Sequence, residues 1–265
     1  MENMSLALSS GGWRGLAHIG VIKSLLKNGV RISRISGSSM GALIGGLYAA
    51  TEDIDKVEQI MSDIRYRDLF KALGDPGLRS GNISIKGNDF VKFIKKSVGD
   101  VMVEDLNIGF SAIATDIMAG KGVSISKGSL AEAIRASASI PFIFSPVIKD
   151  GLVLMDGGLV DPLPVDTLRS NGPDRIIAVN VYGSVFPADY NKRLGGIRVA
   201  GLCRFGMLNK MAEISMEKAD IRIRPEIKDA GKGLLLRMIG GKDVIDAGES
   251  AADKELEHFL NKKSL

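Results

Sequence analysis

A serine at the centre of a glycine-flanked pentad is the clearest chemical feature of this chain. Residues 37–41 read G-S-S-M-G, which places Ser39 in a G-x-S-x-G pattern. The pattern is typical of a nucleophile elbow, a sharp strand-to-helix turn that exposes a serine hydroxyl. Gly37 and Gly41 allow a tight turn because they carry no Cβ. The pentad therefore predicts a nucleophilic serine, with a glycine-rich turn holding an incidental serine as the alternative.

A second glycine-rich stretch lies near the N-terminus. Residues 9–15 read S-S-G-G-W-R-G, between a short apolar stretch at residues 6–8 and a helical pattern over residues 16–27. The backbone N–H groups of Gly11 and Gly12 are uncovered by side chains at a helix N-terminus. Such donors stabilise negative charge, either a bound anion or the oxyanion of acyl transfer.

A dinucleotide-binding loop is the alternative for that stretch. Its fingerprint, G-x-G-x-x-G, requires glycine where this chain has Ser10, and an acidic residue near the end of the second strand. The corresponding segment, residues 33–35, reads S-R-I and carries no acid. The sequence therefore favours an oxyanion loop over a dinucleotide site.

Asp156 is the best-placed candidate for a general base. Two short strand-like stretches, residues 147–149 and 152–155, flank Asp150-Gly151, which is a strong hairpin signal. The second stretch ends in D-G-G at residues 156–158. A carboxylate at a strand end, followed by two glycines, can approach another loop closely.

A Ser-His-Asp triad is the alternative to a base made of aspartate alone, and the sequence has two histidines. His18 falls within the first predicted helix, where packing or solvation explains it. His258 lies in a charged helical segment, residues 251–261, and follows Ser39 and Asp156 in the order found in α/β-hydrolases. The residues alone leave a triad with His258 open.

Strands and helices alternate around these candidates. Residues 30–35 alternate apolar and polar side chains, as a strand does, and residues 41–50 are apolar and small, as in a buried helix. The alternation predicts an α/β three-layer sandwich, with a mainly parallel central sheet and helices on both faces. The length of 265 residues, with 45% hydrophobic and 25% charged residues, suits one domain over residues 1–265.

Four stretches in their order resemble those of the patatin-like phospholipases, most closely the compact bacterial members. These are the glycine-rich loop and helix start at 9–20, the pentad at 37–41, the segment 135–146 and the D-G-G at 156–158, with A-T-D at 114–116 as a further element. Ser10 stands where the family usually has glycine, and Trp13 is bulkier than the small residue common there. The resemblance spans residues 5–166.

The resemblance implies a serine acyl hydrolase with a Ser-Asp dyad and no catalytic histidine. Ser39 is then the nucleophile and Asp156 the general base. The remaining implied site residues are the oxyanion-hole positions Gly11, Gly12 and Trp13, a loop anchor or phosphate contact at Arg14, and the motif glycines Gly37, Gly41, Gly157 and Gly158. The implied substrate is a phospholipid or lysophospholipid ester, and no metal or cofactor is expected. A catalytically silent lipid-binding scaffold with the same fold is the non-enzymatic alternative.

Composition bears on partners and location. The net charge of +4 and the 5% aromatic content give no sign of a nucleic-acid-binding protein. A single cysteine, Cys203, and an N-terminus without a signal-peptide pattern predict a cytoplasmic protein. Two basic amphipathic segments, residues 197–216 and 232–242, fit peripheral contact with the inner membrane surface, a lid or core helices. The sequence predicts no oligomeric state.

Overall fold

The computed structural model describes residues 3–63, 86–141, 143–170, 172, 174–183, 196–227 and 241–263. The strands of these ranges are Asn3–Leu8 (β1), Arg31–Ser38 (β2), Gly109–Asp116 (β3), Lys121–Ile125 (β4), Val147–Lys149 (β5), Leu152–Asp156 (β6), Arg175–Val179 (β7) and Ile221–Ile223 (β8). The helices are Ala17–Lys27 (α1), Met40–Thr51 (α2), Ile54–Asp63 (α3), Asn88–Val98 (α4), Leu130–Ser137 (α5), Val165–Arg169 (α6), Gly196–Met216 (α7) and Lys242–Lys263 (α8). Short 3₁₀ turns cover Gly12–Leu16, Val103–Asp105 and Gly157–Leu159.

One mixed sheet contains these strands. The parallel part runs in the order β3-β2-β1-β7-β8. β4 and β6 both pair antiparallel with β3, and β5 pairs antiparallel with β6. The mainly parallel sheet predicted from the sequence is therefore confirmed.

Alternating side chains direct the strands toward two helical layers. In β1, Leu6 and Leu8 belong to a core cluster that includes residues of α1 to α5 and α8, whereas Ala7 belongs to a cluster formed with α6 and α7. β7 divides its side chains in the same way, with Ile177 in the first cluster and Ile176 in the second. Because successive strand residues point to opposite faces, helices cover both faces of the sheet.

The β5–β6 hairpin is confirmed as well. Asp150 and Gly151 form its turn with positive φ angles of 51° and 77°. Two positive φ values at the central residues are those of a type I′ turn, whose twist matches the flanking strands. The hairpin thereby fixes the direction in which β6 runs toward its last residue, Asp156.

Two boundaries differ from the sequence-based expectations. β2 continues to Ser38, beyond the predicted end at residue 35, because Gly37 and Ser38 pair with β1 and β3. The stretch expected as a loop over residues 9–15 already turns helically from Gly12 onward. The first difference arises from long-range strand pairing and the second from chain continuity with α1. Local alternation of apolar and polar residues reveals neither.

The two amphipathic segments have different outcomes. In α7 the buried residues Leu208, Ala212 and Met216 pack on the sheet, as in a core helix. Residues 228–240, and with them most of the segment 232–242, lie outside the described residues, and Lys242 begins α8. Among the described helices, none is both long and apolar enough to cross a membrane.

Candidate active site

Ser39 forms the whole turn between β2 and α2. The strand ends at Ser38 and the helix begins at Met40, so a single residue reverses the chain direction. Its φ and ψ angles, 54° and −116°, are strained for a residue with a side chain. The Ser39 N–H donates to Ser137 Oγ over 2.9 Å, which helps to hold this conformation. This is the geometry of a nucleophile elbow.

The two glycines of the pentad are required by close backbone contacts. A Cβ on Gly37 would lie 2.5 Å from the carbonyl group of Gly41. A Cβ on Gly41 would lie 2.3 Å from the carbonyl oxygen of Leu8, at the end of β1. The elbow therefore closes only because both positions lack a side chain.

The pairing of β3 explains why Asp156 lies beside this turn. Ile113 pairs with Ser38 of β2, and the next residue, Ala114, pairs with Asp156 of β6. Because both residues also pair with β4, β2 and β6 must share the opposite edge of β3. β2 and β6 run toward each other along that edge, so their last residues meet. Strand pairing thus places the Asp156 carboxylate beside Ser39.

Ser39 and Asp156 are in direct contact in a buried site. The Ser39 hydroxyl donates to Asp156 Oδ2 over 2.7 Å, and the Gly158 N–H donates to Asp156 Oδ1 over 2.9 Å. The Asp156 main chain is held by Thr115 Oγ1, which donates to its carbonyl, and by Ser139 O, which accepts its N–H. Ser39 is 5% and Asp156 is 6% exposed. Each carboxylate oxygen of Asp156 therefore accepts its own hydrogen bond, Oδ2 from Ser39 and Oδ1 from Gly158.

Burial makes this carboxylate a stronger base than an ordinary aspartate. Loss of solvation raises the pKa of Asp156 to about 6, against the lowering effects of the hydrogen bonds from Ser39 and Gly158 and the positive charge of Arg204. A base whose pKa lies nearer to the working pH removes a proton more effectively while remaining ionised at neutral pH.

The two glycines that follow Asp156 are also confined. A Cβ on Gly157 would lie 2.0 Å from the carbonyl oxygen of Ile113, and one on Gly158 would lie 2.6 Å from Ser10 Oγ. Gly157–Leu159 forms a 3₁₀ turn directly after β6. The lack of side chains lets this turn press against β3 and the N-terminal loop.

The N-terminal loop presents free backbone donors. The N–H groups of Ser9 and Ser10 donate to Val179 O and Pro162 O. Within the described part of the chain, the N–H groups of Gly11 and Gly12 have no hydrogen-bond partner. Gly12 has a φ of 58°, and a Cβ placed on it would meet nothing within 4 Å. The loop therefore has open space and uncommitted N–H groups, as an oxyanion hole requires.

Buried side chains hold the start of this loop. His18 is fully buried, and its Nε2 donates to the carbonyl oxygen of Ser9 over 2.8 Å. Burial lowers the pKa of His18 to about 4, so the ring is neutral at pH 7. The hydroxyl of Ser10 forms a short hydrogen bond with the hydroxyl of Tyr182, a buried residue just beyond β7. The serine in place of the usual glycine thus gains a partner across the site.

Arg14 lies under the same loop. Its side chain is 9% exposed, and its guanidinium lies 5.0 Å from the ring centroid of Trp13 and 5.3 Å from that of Phe205. A guanidinium stacked between two aromatic rings is well placed to stabilise the loop through cation–π attraction. The geometry agrees better with anchoring than with a solvent-facing phosphate contact.

Neither histidine contacts the Ser39–Asp156 pair in the described structure. His258 is exposed on α8, and among the described residues no hydrogen bond joins it to Ser39 or Asp156. The His18 ring donates its hydrogen bond to the carbonyl oxygen of Ser9. The nucleophile and the aspartate contact each other without an intervening imidazole.

Three neighbours of the site were not assigned roles from the sequence. Ser137 lies within the segment 135–146 that carries the family resemblance, but its contact with the Ser39 N–H depends on the fold. Tyr182 follows β7 at the carboxyl edge of the sheet, where α/β proteins bind ligands, and this position was a usable signal. No local pattern marks Arg204, whose relation to the site depends on how α7 packs.

Comparisons with known proteins match most of this chain. The family model of patatin-like phospholipases matches residues 6–169. An uncharacterized NTE family protein of Mycobacterium tuberculosis is 41% identical over 181 residues, covering 68% of this chain and 49% of that protein. Lysophospholipase NTE1 of Kluyveromyces lactis is 34% identical over 226 residues, covering 81% of this chain and 16% of that protein. The chain spans about half the length of the mycobacterial relative.

A solved structure supports the fold. VipD from Legionella pneumophila superposes with a TM-score of 0.53 and 14% sequence identity, covering 97% of this chain and 67% of that one. At this identity the likeness shows the architecture, and it agrees with the three-layer α/β sandwich. Since the family model also matches more than half of the sequence, the chain belongs to the patatin-like phospholipase family.

Proposed function

We propose that this chain is a serine hydrolase that cleaves carboxylic esters of phospholipids or lysophospholipids. The observation that carries the proposal is the 2.7 Å hydrogen bond from Ser39 Oγ to Asp156 Oδ2, at a strained elbow in a buried site. Family membership supports lipid as the substrate class, and a fungal relative is named a lysophospholipase. No step requires a metal or an organic cofactor.

Acylation follows from this contact. Asp156 accepts the hydroxyl proton while Ser39 Oγ attacks the ester carbonyl carbon, and the carbonyl oxygen becomes an oxyanion. The N–H groups of Gly11 and Gly12, together with that of Trp13, stabilise this oxyanion; in known enzymes one such donor contributes about 3–4 kcal/mol. As the tetrahedral intermediate collapses, Asp156 returns the proton to the departing alcohol, which leaves an acyl-enzyme on Ser39.

Deacylation repeats the chemistry with water. Asp156 removes a proton from a water molecule, and the hydroxide oxygen attacks the acyl carbonyl carbon. The same N–H donors hold the second oxyanion. When the bond to Ser39 Oγ breaks, Asp156 gives its proton back to the serine, and the fatty acid leaves. The enzyme regains its starting protonation state.

The direct test compares wild type with Ser39→Ala on a short-chain p-nitrophenyl ester and on a long-chain lysophospholipid. We expect wild type to release product and the folded variant to lose activity by about 10⁴-fold or more, since the nucleophile is removed. A folded wild-type protein that hydrolyses neither substrate would favour the silent lipid-binding scaffold.

The pH dependence of ester hydrolysis should follow the ionisation of the Asp156 carboxylate. The carboxylate must be ionised to accept a proton, and burial raises its pKa to about 6. We therefore expect kcat/KM for the p-nitrophenyl ester to rise with pH through about 6 and to level off above about 7. A profile that is flat between pH 5 and 8 would show that a carboxylate with this pKa is not the base.

Replacing His258 tests the triad alternative. The residue is exposed on α8 and shares no hydrogen bond with the dyad in the described structure. We expect His258→Ala to keep kcat/KM within about twofold of wild type. A triad would lose roughly 10³-fold or more on the same change, as measured with the p-nitrophenyl ester.

The outer face of α7 is the proposed membrane contact. Its apolar residues Val199, Met207 and Ile214 are 42%, 67% and 52% exposed. Exposed basic residues on the same helix, Arg204 and Lys210, are complementary to anionic headgroups. Apolar side chains beside basic ones are typical of helices that lie in a membrane interface. The proposed partner is therefore an anionic lipid surface rather than another protein.

Met207→Asp tests this surface. A carboxylate there both removes exposed apolar area and repels anionic lipid, so we expect binding to vesicles with anionic headgroups to fall about tenfold. The matched control is Ile148→Asp on β5, since Ile148 is also highly exposed, at 70%. Equal losses of vesicle binding by both variants in a sedimentation assay would show that α7 is not the membrane contact.

A further inference from the structure

Arg204 is an exposed arginine of α7 whose charge acts on the Ser39–Asp156 pair. Its guanidinium lies 5.3 Å from the ring centroid of Phe205. Its positive charge acts on the buried Asp156, whose pKa it lowers, and also on Tyr182. The side chain is therefore exposed and close enough to Asp156 for the two charges to interact.

Phe205 connects this arginine with the N-terminal loop. Its ring packs edge-on against Tyr182, with centroids 5.8 Å apart, and lies 5.3 Å from the guanidinium of Arg14. The Tyr182 hydroxyl bonds the hydroxyl of Ser10 in that loop. A continuous run of contacts thus leads from Arg204 to the loop that carries the free N–H groups.

Arg204 has no carboxylate partner among the described residues. Two other exposed arginines are paired: Arg224 with Glu213 at 2.7 Å and Arg169 with Asp220 at 3.0 Å. Arg14, by contrast, is buried between two aromatic rings. Of the two arginines on the Phe205 ring, Arg204 is therefore the one whose N–H donors face solvent. A guanidinium of this kind suits a phosphate, which it can bind through two parallel hydrogen bonds.

We propose that Arg204 binds the headgroup phosphate of the lipid substrate while the ester carbonyl lies at Ser39. This inference rests on the proposed function and names the residue that would favour its phosphate-bearing lipids over neutral glycerides. In a lysophospholipid the glycerol backbone alone separates the phosphate from the ester. An anion held at Arg204 therefore positions the ester near Ser39 and the loop donors. Arg204 is a specificity residue in this account, since it contacts substrate away from the breaking bond.

The kinetic test compares two substrates with the same acyl chain, oleoyl lysophosphatidate and monooleoylglycerol, both below their micelle-forming concentrations. We expect Arg204→Gln to raise KM for lysophosphatidate at least about tenfold with little change in kcat. For monooleoylglycerol we expect kcat/KM to stay within about twofold. The measurement is made near pH 8, because loss of the Arg204 charge raises the pKa of Asp156 from its value of about 6.

Matched variants separate the phosphate contact from general charge. Lys254→Gln removes an exposed positive charge from α8 and should leave both substrates unchanged. Arg204→Lys keeps the charge but loses the paired donors, so its KM for lysophosphatidate should lie between wild type and Arg204→Gln. Equal effects of Arg204→Gln on both substrates, or an equal effect of Lys254→Gln, would overturn the proposal.

Binding measurements keep this inference separate from the hydrolysis itself. In a Ser39→Ala background, oleoyl lysophosphatidate should bind about tenfold more weakly when Arg204 is also changed to Gln, as followed by calorimetry. Such a loss supports the phosphate contact even if wild type proves inactive, a result that would refute only the proposed hydrolysis. No loss of binding would refute the contact even if hydrolysis is confirmed.

Inorganic phosphate distinguishes a headgroup from a free anion. If binding at Arg204 requires the attached acyl chain, inorganic phosphate alone binds weakly. We therefore expect inorganic phosphate at about 10 mM not to compete with lysophosphatidate for binding to the Ser39→Ala variant. Competition at concentrations close to the lipid dissociation constant would instead identify a site for free phosphate, and it would overturn the assignment to a lipid headgroup.

Discussion

Asp156→Asn is expected to lower kcat for lysophospholipid hydrolysis by about 10³-fold or more. The Gly158 N–H points at Oδ1 and the Ser39 hydroxyl at Oδ2. In asparagine the amide oxygen would remain with Gly158, which places the NH₂ group against Ser39. That group donates a hydrogen bond and cannot accept the serine proton. General-base catalysis, typically about 10²–10⁴-fold, is lost, and deacylation loses the same base.

Asp161→Asn is the matched control for this loss. Burial, together with the nearby charge of Asp166, raises the pKa of Asp161 to about 6, and a backbone hydrogen bond from Leu163 opposes the shift. Asp161 does not hydrogen-bond Ser39 through its side chain. Asparagine can still accept from Leu163, so we expect activity within about twofold of wild type. An Asp156→Asn variant that retains more than a tenth of wild-type activity would refute the dyad.

Gly157→Ala should be the most damaging conservative change near the site. Its Cβ would lie 2.0 Å from the carbonyl oxygen of Ile113, which is backbone and cannot rotate away. We expect a loss of about 3 kcal/mol or more in the free energy of unfolding, seen as a fall in Tm of roughly 6–12 °C. The turn must also shift Asp156, and a displacement near 1 Å can cost about 100-fold in kcat.

Gly201→Ala provides the comparison. This glycine lies within α7, and a Cβ there meets nothing within 4 Å. Alanine favours helix by up to about 1 kcal/mol over glycine, so the free energy of unfolding should stay the same or rise. If Gly157→Ala unfolds at the same temperature as Gly201→Ala, the close packing of the D-G-G turn against β3 is wrong.

The parts of the candidate site that depend on local geometry could be predicted from the sequence. The pentad around Ser39 specifies a turn that only small flanking residues allow, and Asp150-Gly151 specifies a hairpin that ends at Asp156. These patterns act over a few residues, where backbone sterics dominate. The prediction of a mainly parallel sheet with helices on both faces has the same local origin, in the alternation of strands and helices.

The arrangement of these parts could not be predicted from local patterns. β6 continues along the edge of β3 where β2 ends because residue 38 pairs with residue 113 and residue 156 pairs with residue 114. These partners are distant in sequence. The hydrogen bond from the Ser39 N–H to Ser137 joins residues 98 positions apart. Arg204 gains its place beside the site only through the packing of α7. Contacts of this kind follow from tertiary structure rather than from residue periodicity.

The most direct test of the account is covalent labelling with a fluorophosphonate probe, located by mass spectrometry. Such a probe reacts with activated serine nucleophiles. The Ser39 hydroxyl lies 2.7 Å from Oδ2 of the buried Asp156 carboxylate, which we expect to activate it. We predict labelling of wild type at Ser39, none in Ser39→Ala and strongly slowed labelling in Asp156→Asn. A folded wild-type protein that stays unlabelled, or carries the label on another serine, would contradict the account.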